Sequence, residues 1–272
     1  DLGDLVKIVG GIRFDRFTIS STNLVSGFAG KRSDSKWSPR LGLILKPREN
    51  VSLYASYAKS FLPQSGDQFA VLDATSAALA PEEFQNLEAG VKWDITDALA
   101  FTGAVYRLDR NNTRATDPIT GNTVLSGKSR TEGVEFSLVG RVTDSLDVSL
   151  GYALQDGEIR ATTTAAPAGR KLAQLPRHQA SAWARYNFSK AFGLGLGVIH
   201  QSSQFATISN HVRLPAFTRI DAAAYYDLTR DVTLQLNVEN LTDTDYFPSA
   251  HTDNNISTGR PLNAKLTLRV KF

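Results

Sequence analysis

Four histidines, His178, His200, His211 and His251, are the first side chains to weigh for chemistry. Imidazole is both a metal ligand and a proton carrier near neutral pH. They fall in separate stretches of the chain, and no two stand at the spacing by which one element offers a metal two ligands. HTDN at His251 to Asn254 carries oxygen atoms for a cation, but Asp and Asn in such runs more often close loop turns. GLGLG at Gly193 to Gly197 resembles a phosphate cradle only in its letters. It sits inside a strand pattern with its leucines outward, and no helix follows whose N-terminus would meet a phosphate. His200, Gln201 and Ser202 are the nearest approach to a hydrolytic set, while GxSxG and HExxH are absent. Cys is 0, which removes disulfides and thiolate metal sites. The chain therefore reads as a non-enzyme with no metal site and no bound cofactor.

Any chemistry left must come from surfaces, so the elements that build them matter more. The 272 residues are 42% hydrophobic with mean hydropathy -0.21, too polar for a bundle of membrane helices. Lys+Arg of 30 against Asp+Glu of 27 gives +3, without the basic clustering a nucleic-acid surface needs. Met is 0 and the chain opens at Asp1 with no signal-peptide pattern, which reads as a processed or truncated product.

Strand periodicity is the dominant signal. In the tail, Leu266, Leu268, Val270 and Phe272 alternate with Lys265, Thr267, Arg269 and Lys271, giving one apolar and one polar face. The same pattern recurs at Trp37 to Lys46, Asn86 to Trp93 and Leu146 to Ile159. Further strands are expected at Val6 to Phe17, Val51 to Ser60, Ala98 to Arg110, Ser129 to Arg141, Arg177 to Phe188, Phe192 to Gln204, Arg219 to Leu228 and Val232 to Leu241. Short turns (Lys46 to Asn50, Asp94 to Asp97, Val142 to Ser145, Ser189 to Ala191, Thr229 to Asp231) alternate with long polar stretches. Those stretches are Ser20 to Lys36, Phe61 to Phe84, Asn111 to Gly127, Thr162 to Gly169 and Thr242 to Arg260. About twelve strands joined by tight turns at one end and long loops at the other spell an all-β, antiparallel transmembrane β-barrel. Lipid demands closure, because an open edge would leave backbone groups unpaired. Trp37, Trp93, Tyr152, Tyr186, Phe188 and Phe272 are candidates for the aromatic girdles.

Several runs resemble the TonB-dependent siderophore receptors of the Gram-negative outer membrane. They are YASYAKSF at Tyr54 to Phe61, LAPEEFQNLEAGVKWDI at Leu79 to Ile95, SRTEGVEFSLVGRVTDSLDVSLGYAL at Ser129 to Leu154, and LPRHQASAWARY at Leu175 to Tyr186. The tail adds Asn240, Leu241, Asp243 and Tyr246, then Gly259, Arg260, Pro261 and Phe272. HTDNNISTGRP at His251 to Pro261 resembles the catecholate-type subgroup most. The resemblance implies a barrel of 22 strands in the complete receptor, of which residues 1–272 supply about twelve. The amino-terminal plug, its TonB-contacting box and the first strands are expected in a missing region.

What the resemblance implies about function is uptake of a ferric siderophore by TonB-coupled active transport, with the siderophore as cargo. Such chelates present flat rings and often negative charge, which call for aromatic and cationic side chains facing outward. Phe69, Tyr106, Arg110, Arg114, Phe205, His211, Tyr246, Phe247 and His251 are the candidates. Arg40, Glu88, Lys92, Glu135, Arg185, Arg219, Asp221 and Glu239 carry both signs toward the lumen and read as ion-pair networks within the wall. Leu266, Leu268, Val270 and Phe272 resemble the signal read by the barrel-assembly machinery, and the same face would meet outer-membrane lipid. Two other functions fit a twelve-strand barrel: a small diffusion channel, and an outer-membrane phospholipase using His200.

Overall fold

The computed structural model describes residues 3, 5–63, 80–116, 123–163 and 166–271, with backbone alone at 114–116 and 123–126. The strands are β1 (Val6–Thr22), β2 (Ala29–Arg48), β3 (Val51–Leu62), β4 (Glu82–Thr96), β5 (Leu99–Thr116), β6 (Thr123–Thr143), β7 (Leu146–Ile159) and β8 (His178–Asn187). They continue with β9 (Phe192–Gln201), β10 (Gln204–Phe205), β11 (Arg213–Leu214), β12 (Phe217–Asp227), β13 (Val232–Glu239), β14 (Ser249–Thr252), β15 (Asn255–Ser257) and β16 (Asn263–Val270). Twelve of them form a single sheet in the order β1-β2-β3-β4-β5-β6-β7-β8-β9-β12-β13-β16. Each neighbouring pair is antiparallel, so the sheet is an uninterrupted meander. The ribbons β10–β11 and β14–β15 stand apart, inside connections.

A meander places alternate connections at opposite ends. The tight ones, 49–50, 97–98, 144–145, 188–191 and 228–231, all lie at one end, as the short-turn pattern requires. The other end carries 160–177, 202–216 and 240–262 along with the remaining connections.

Register fixes the faces. Leu43 pairs with Ala55, Val91 with Leu53, Val105 with Val134, Leu236 with Leu266, and these side chains point outward. Leu41, Leu87, Val105, Leu196, Leu266 and Leu268 are all well exposed on that face. A belt of this extent exceeds what a water-facing surface carries and suits hydrocarbon. Aromatic side chains edge it: Phe14 lies 4.8 Å from Trp37, and Tyr186, Phe188 and Phe192 form a chain with centroids 4.8 and 5.8 Å apart. Phe14 and Phe192 extend the girdle beyond the residues expected from sequence.

The opposite face is concave. Tyr54 on β3 and Ile199 on β9 line the same hollow of about 670 Å³. Six strand spacings would separate them by about 29 Å in a flat sheet, so the sheet must curl around that hollow. GLGLG finds its structural meaning here. Gly195 and Gly197 face inward, and a Cβ on them would stand 2.4 and 2.5 Å from the ring of Trp183. The indole lies across the glycines of the neighbouring strand, while Leu194 and Leu196 face out.

Three connections differ from the sequence pattern. Ser20 to Lys36, expected as a loop, is largely ladder: β1 runs to Thr22, β2 begins at Ala29, and Thr18 faces Ser33 with their hydroxyls 2.9 Å apart. Arg32 and Asp34 on this extension lie 2.7 Å apart, and that hydrogen bond is the main cause raising the guanidinium above its ordinary pKa. Above the apolar belt both faces of a hairpin meet polar surroundings, so nothing selects alternation, yet backbone pairing continues. For the same reason β5 and β6 reach into Asn111 to Gly127, and Thr242 to Arg260 contains β14 and β15.

Candidate ligand cavity under the interlocked connections

The connections 160–177, 202–216 and 240–262 fold onto one another. Ile159 and Ala166 pack with Ile208, against Leu172 and Ala173. Ala206 and Leu214 pack with Ala250, against Val212 and Phe247. These clusters are too small to order such long segments by burial alone, and side-chain amides and hydroxyls supply the rest. Asn210 accepts from the Lys171 amide at 2.7 Å and donates to the carbonyls of Lys171 and Thr207 at 3.0 and 3.2 Å. Gln204 donates to Pro248 O at 3.1 Å. Thr207 and Ser209 hydroxyls donate to the two carboxylate oxygens of Asp253 at 2.7 and 2.6 Å.

Between this cap and the inner face of the wall lies a cavity of about 540 Å³. The wall contributes Tyr106, Arg110, Thr131 and Gln155; the cap contributes Leu172, Gln174, Ile208 and His251. Tyr106 stands over Gly133, where a Cβ would be 2.7 Å from the phenol ring, and donates to Gln155 Oε1 at 3.1 Å. Gln155 in turn donates to Pro176 O at 3.1 Å, joining wall to cap. Arg110 donates through Nε and Nη2 to Glu82 Oε1, at 3.0 and 2.6 Å, with its guanidinium 5.2 Å from the Phe84 ring. The Glu82 carboxylate is almost fully buried, so the pair is mutually required: removing the guanidinium would strand a charge away from water.

The structure thus brings Tyr106, Arg110 and His251 around one space. The other sequence candidates lie elsewhere. Phe205 sits on β10 with the Arg213 guanidinium 5.8 Å above its ring. His211 is exposed, its amide donating to Ser209 Oγ at 3.1 Å. Phe247 packs under the second cluster. Tyr246 is buried against Phe217, centroids 4.7 Å apart, and its hydroxyl accepts from Arg219 Nη1 at 2.9 Å. Phe69 and Phe272 lie outside the described residues, as does the side chain of Arg114. Gln155, Gln174, Thr131 and Leu172 line the cavity without having been singled out from sequence. Gln155 and Thr131 leave a trace there, as polar residues in register with Ala153 and Gly157 on the inner face of β7 and with Gly133 and Glu135 on that of β6.

The Asn240, Leu241, Asp243 and Tyr246 pattern is a corner. Asn240 is fully buried with φ 56°, and its side chain bonds Thr244 N, Thr244 O and Arg260 O at 2.9 to 3.0 Å. Its own amide donates to Asp221, which also pairs with Arg219 at 2.8 Å. Arg219 completes an ion-pair network with Glu239 at 2.8 Å. Elsewhere on the inner wall the charged groups use other partners. Glu88 accepts from the Tyr54 hydroxyl at 2.7 Å, Lys92 stands 5.7 Å above the Tyr54 ring, and Arg185 lies 4.1 Å above Tyr225. Among the described residues no group of three or more His, Asp or Glu could hold a metal ion. His200 bonds Thr218 at 2.9 Å on the outward face.

Residues 1–241 match the family described as TonB dependent receptor-like, beta-barrel. The chain is 30% identical over 283 residues to the "Probable TonB-dependent siderophore receptor PiuA" of Acinetobacter baumannii, covering 96% of this chain and 38% of that protein. It is 31% identical to the "Catecholate siderophore receptor Fiu" of Escherichia coli K12, covering 86% of this chain and 32% of that protein. The crystal structure of the Acinetobacter baumannii siderophore receptor PiuA superimposes with a TM-score of 0.87 at 27% identity, over 98% of this chain and 41% of that one. The chain therefore spans only about a third of the length of these relatives, whose names are those of receptors and not of enzymes. A curled antiparallel meander with an outward apolar belt, matched by family and by structure, leads to one assignment: the chain belongs to the TonB-dependent receptor-like β-barrel family of the Gram-negative outer membrane.

Proposed function

We propose that this chain is wall and outer cap of a receptor that captures a ferric siderophore and imports it by TonB-coupled active transport. The observation that carries the reading is the cavity of about 540 Å³ closed by the interlocked connections, with Tyr106, Arg110 and His251 around it. Its size falls in the range of small-ligand sites, and it joins apolar side chains to a few directed polar groups. Flat aromatic chelate rings would lie against Leu172, Ile208 and the Tyr106 ring, while the Arg110 guanidinium and His251 would address oxygen atoms on the chelate. Energy coupling through the TonB complex follows from the family reading.

A catecholate chelate is the preferred cargo, a reading supported by the likeness to Fiu, a protein named for catecholate siderophores. The test is equilibrium binding of ferric tris-catecholate and ferric tris-hydroxamate chelates to the complete receptor. Tighter binding of the catecholate is expected; equal and weak binding of both would sink the preference. On the outer face, Leu266, Leu268 and Val270 stand exposed in line on β16, which supports their role as the stretch presented to the assembly machinery and then to lipid.

A further inference from the structure

One cap residue gathers all three connections, and its chemistry points to a role in setting the cavity mouth. Gln174 donates from Nε2 to Ala250 O at 2.7 Å and accepts at Oε1 from Ala250 N at 3.3 Å. A side-chain amide thus meets both polar backbone groups of one residue, as an adjacent strand would. Its own amide donates to Phe205 O at 2.8 Å. The segment carrying it crosses β7 at Gly157, where a Cβ would stand 2.2 Å from Leu175 and 3.0 Å from Leu172. Gln174 holds φ 52°, a conformation unusual for a residue with a side chain. Such a conformation persists only where its surroundings over-determine it, and it is a reason to look for function.

The residue following Ala250 is His251, which lines the cavity together with Gln174 itself. Ala250 is buried and His251 exposed, so the latched backbone is the fixed point from which the imidazole projects. We infer that Gln174 is a positioning residue that locks the backbone of β14 and thereby sets His251 at the cavity mouth for the chelate. The inference rests on the proposed capture of a ferric chelate. Gln174 acts through His251, and the glutamine amide is required because only it both donates and accepts at that spacing.

The test uses the complete receptor with Gln174→Glu, which keeps shape and acceptor but turns an oxygen toward Ala250 O. Gln174→Asn, which tolerates positive φ but is one methylene short, serves if the first variant fails to assemble. Amide hydrogen exchange without ligand is read across 249–252 and across β13. Binding of ferric tris-catecholate is then compared for wild type, Gln174→Glu, His251→Ala and the double variant. Exchange at 249–252 is expected to quicken roughly tenfold with β13 unchanged, and affinity to fall roughly tenfold, as loss of a buried hydrogen bond implies. The double variant should bind no worse than the weaker single one. Unchanged exchange overturns the latch, and unchanged affinity or multiplicative losses overturn the route through His251. If the wild type binds no chelate, the capture reading fails, and the exchange arm still decides the latch.

Discussion

The wall and the cap are ordered by different physics. In the wall, each strand meets its neighbours through a continuous backbone ladder, and side chains are apolar outside and largely polar or aromatic inside. In the cap, Gln174, Gln204, Asn210 and Asp253 each reach across to backbone or hydroxyl groups of another connection. A wall built on a ladder tolerates substitution wherever alternation survives and no bulky side chain already covers the position. A cap built on single amides does not, because each buried partner left alone keeps its desolvation cost.

The largest expected effect falls on a crowded stretch of the inner wall, the glycines under Trp183. Gly197→Val would place side-chain atoms inside the Trp183 indole. The loss should be about 3 kcal/mol, at the upper end for overpacking, read as a lower urea midpoint and a smaller heat-resistant folded fraction. Tolerance of this change would show that inner-face packing adds nothing to the ladder, and that the wall accepts substitution even where it is crowded.

Next comes the joint between the regions. Arg110→Ala leaves the Glu82 carboxylate buried and unpaired; since the guanidinium is partly solvated, the cost should be about 2 kcal/mol. Adding Glu82→Gln should restore most of the stability but not the chelate affinity. Recovery of both together would show that Arg110 has no part in the ligand site.

Within the cap, Asn210→Ala removes three hydrogen bonds at a residue with φ 56° and should loosen the connections by about 1–2 kcal/mol. Faster proteolysis within 202–216, with an unaltered urea midpoint for the wall, is the expected signature. A matching fall in the wall midpoint would mean that the two regions unfold as one. Leu196→Ile on the outward face of β9 is the control, expected to stay within about 0.5 kcal/mol of wild type as an exposed apolar exchange.

The same division explains what could be read from sequence. The meander, the tight turns and the outward face of β16 follow from period-two alternation, because lipid on one side enforces it residue by residue. β7 at Leu146 to Ile159 is found with the bounds expected for it. Above the belt that pressure disappears, and the β1–β2 extension looks like a polar loop although it is ladder. The cap was illegible for a different reason. Gln174 and Ala250 lie 76 residues apart, and nothing in the local pattern of either marks an amide that will serve as a strand edge. Tyr106, Arg110 and His251, candidates by residue type, line one cavity, whereas Tyr246, a candidate on the same grounds, is held in a buried contact with Arg219.

The most direct measurement fills the cavity without touching its charges. Thr131 lies on the inner face of β6 and lines the space between wall and cap. Thr131→Trp in the complete receptor should leave the folded fraction intact and weaken ferric tris-catecholate binding at least tenfold, about 1.4 kcal/mol or more. A dissociation constant equal to that of the wild type would place capture somewhere other than this cavity.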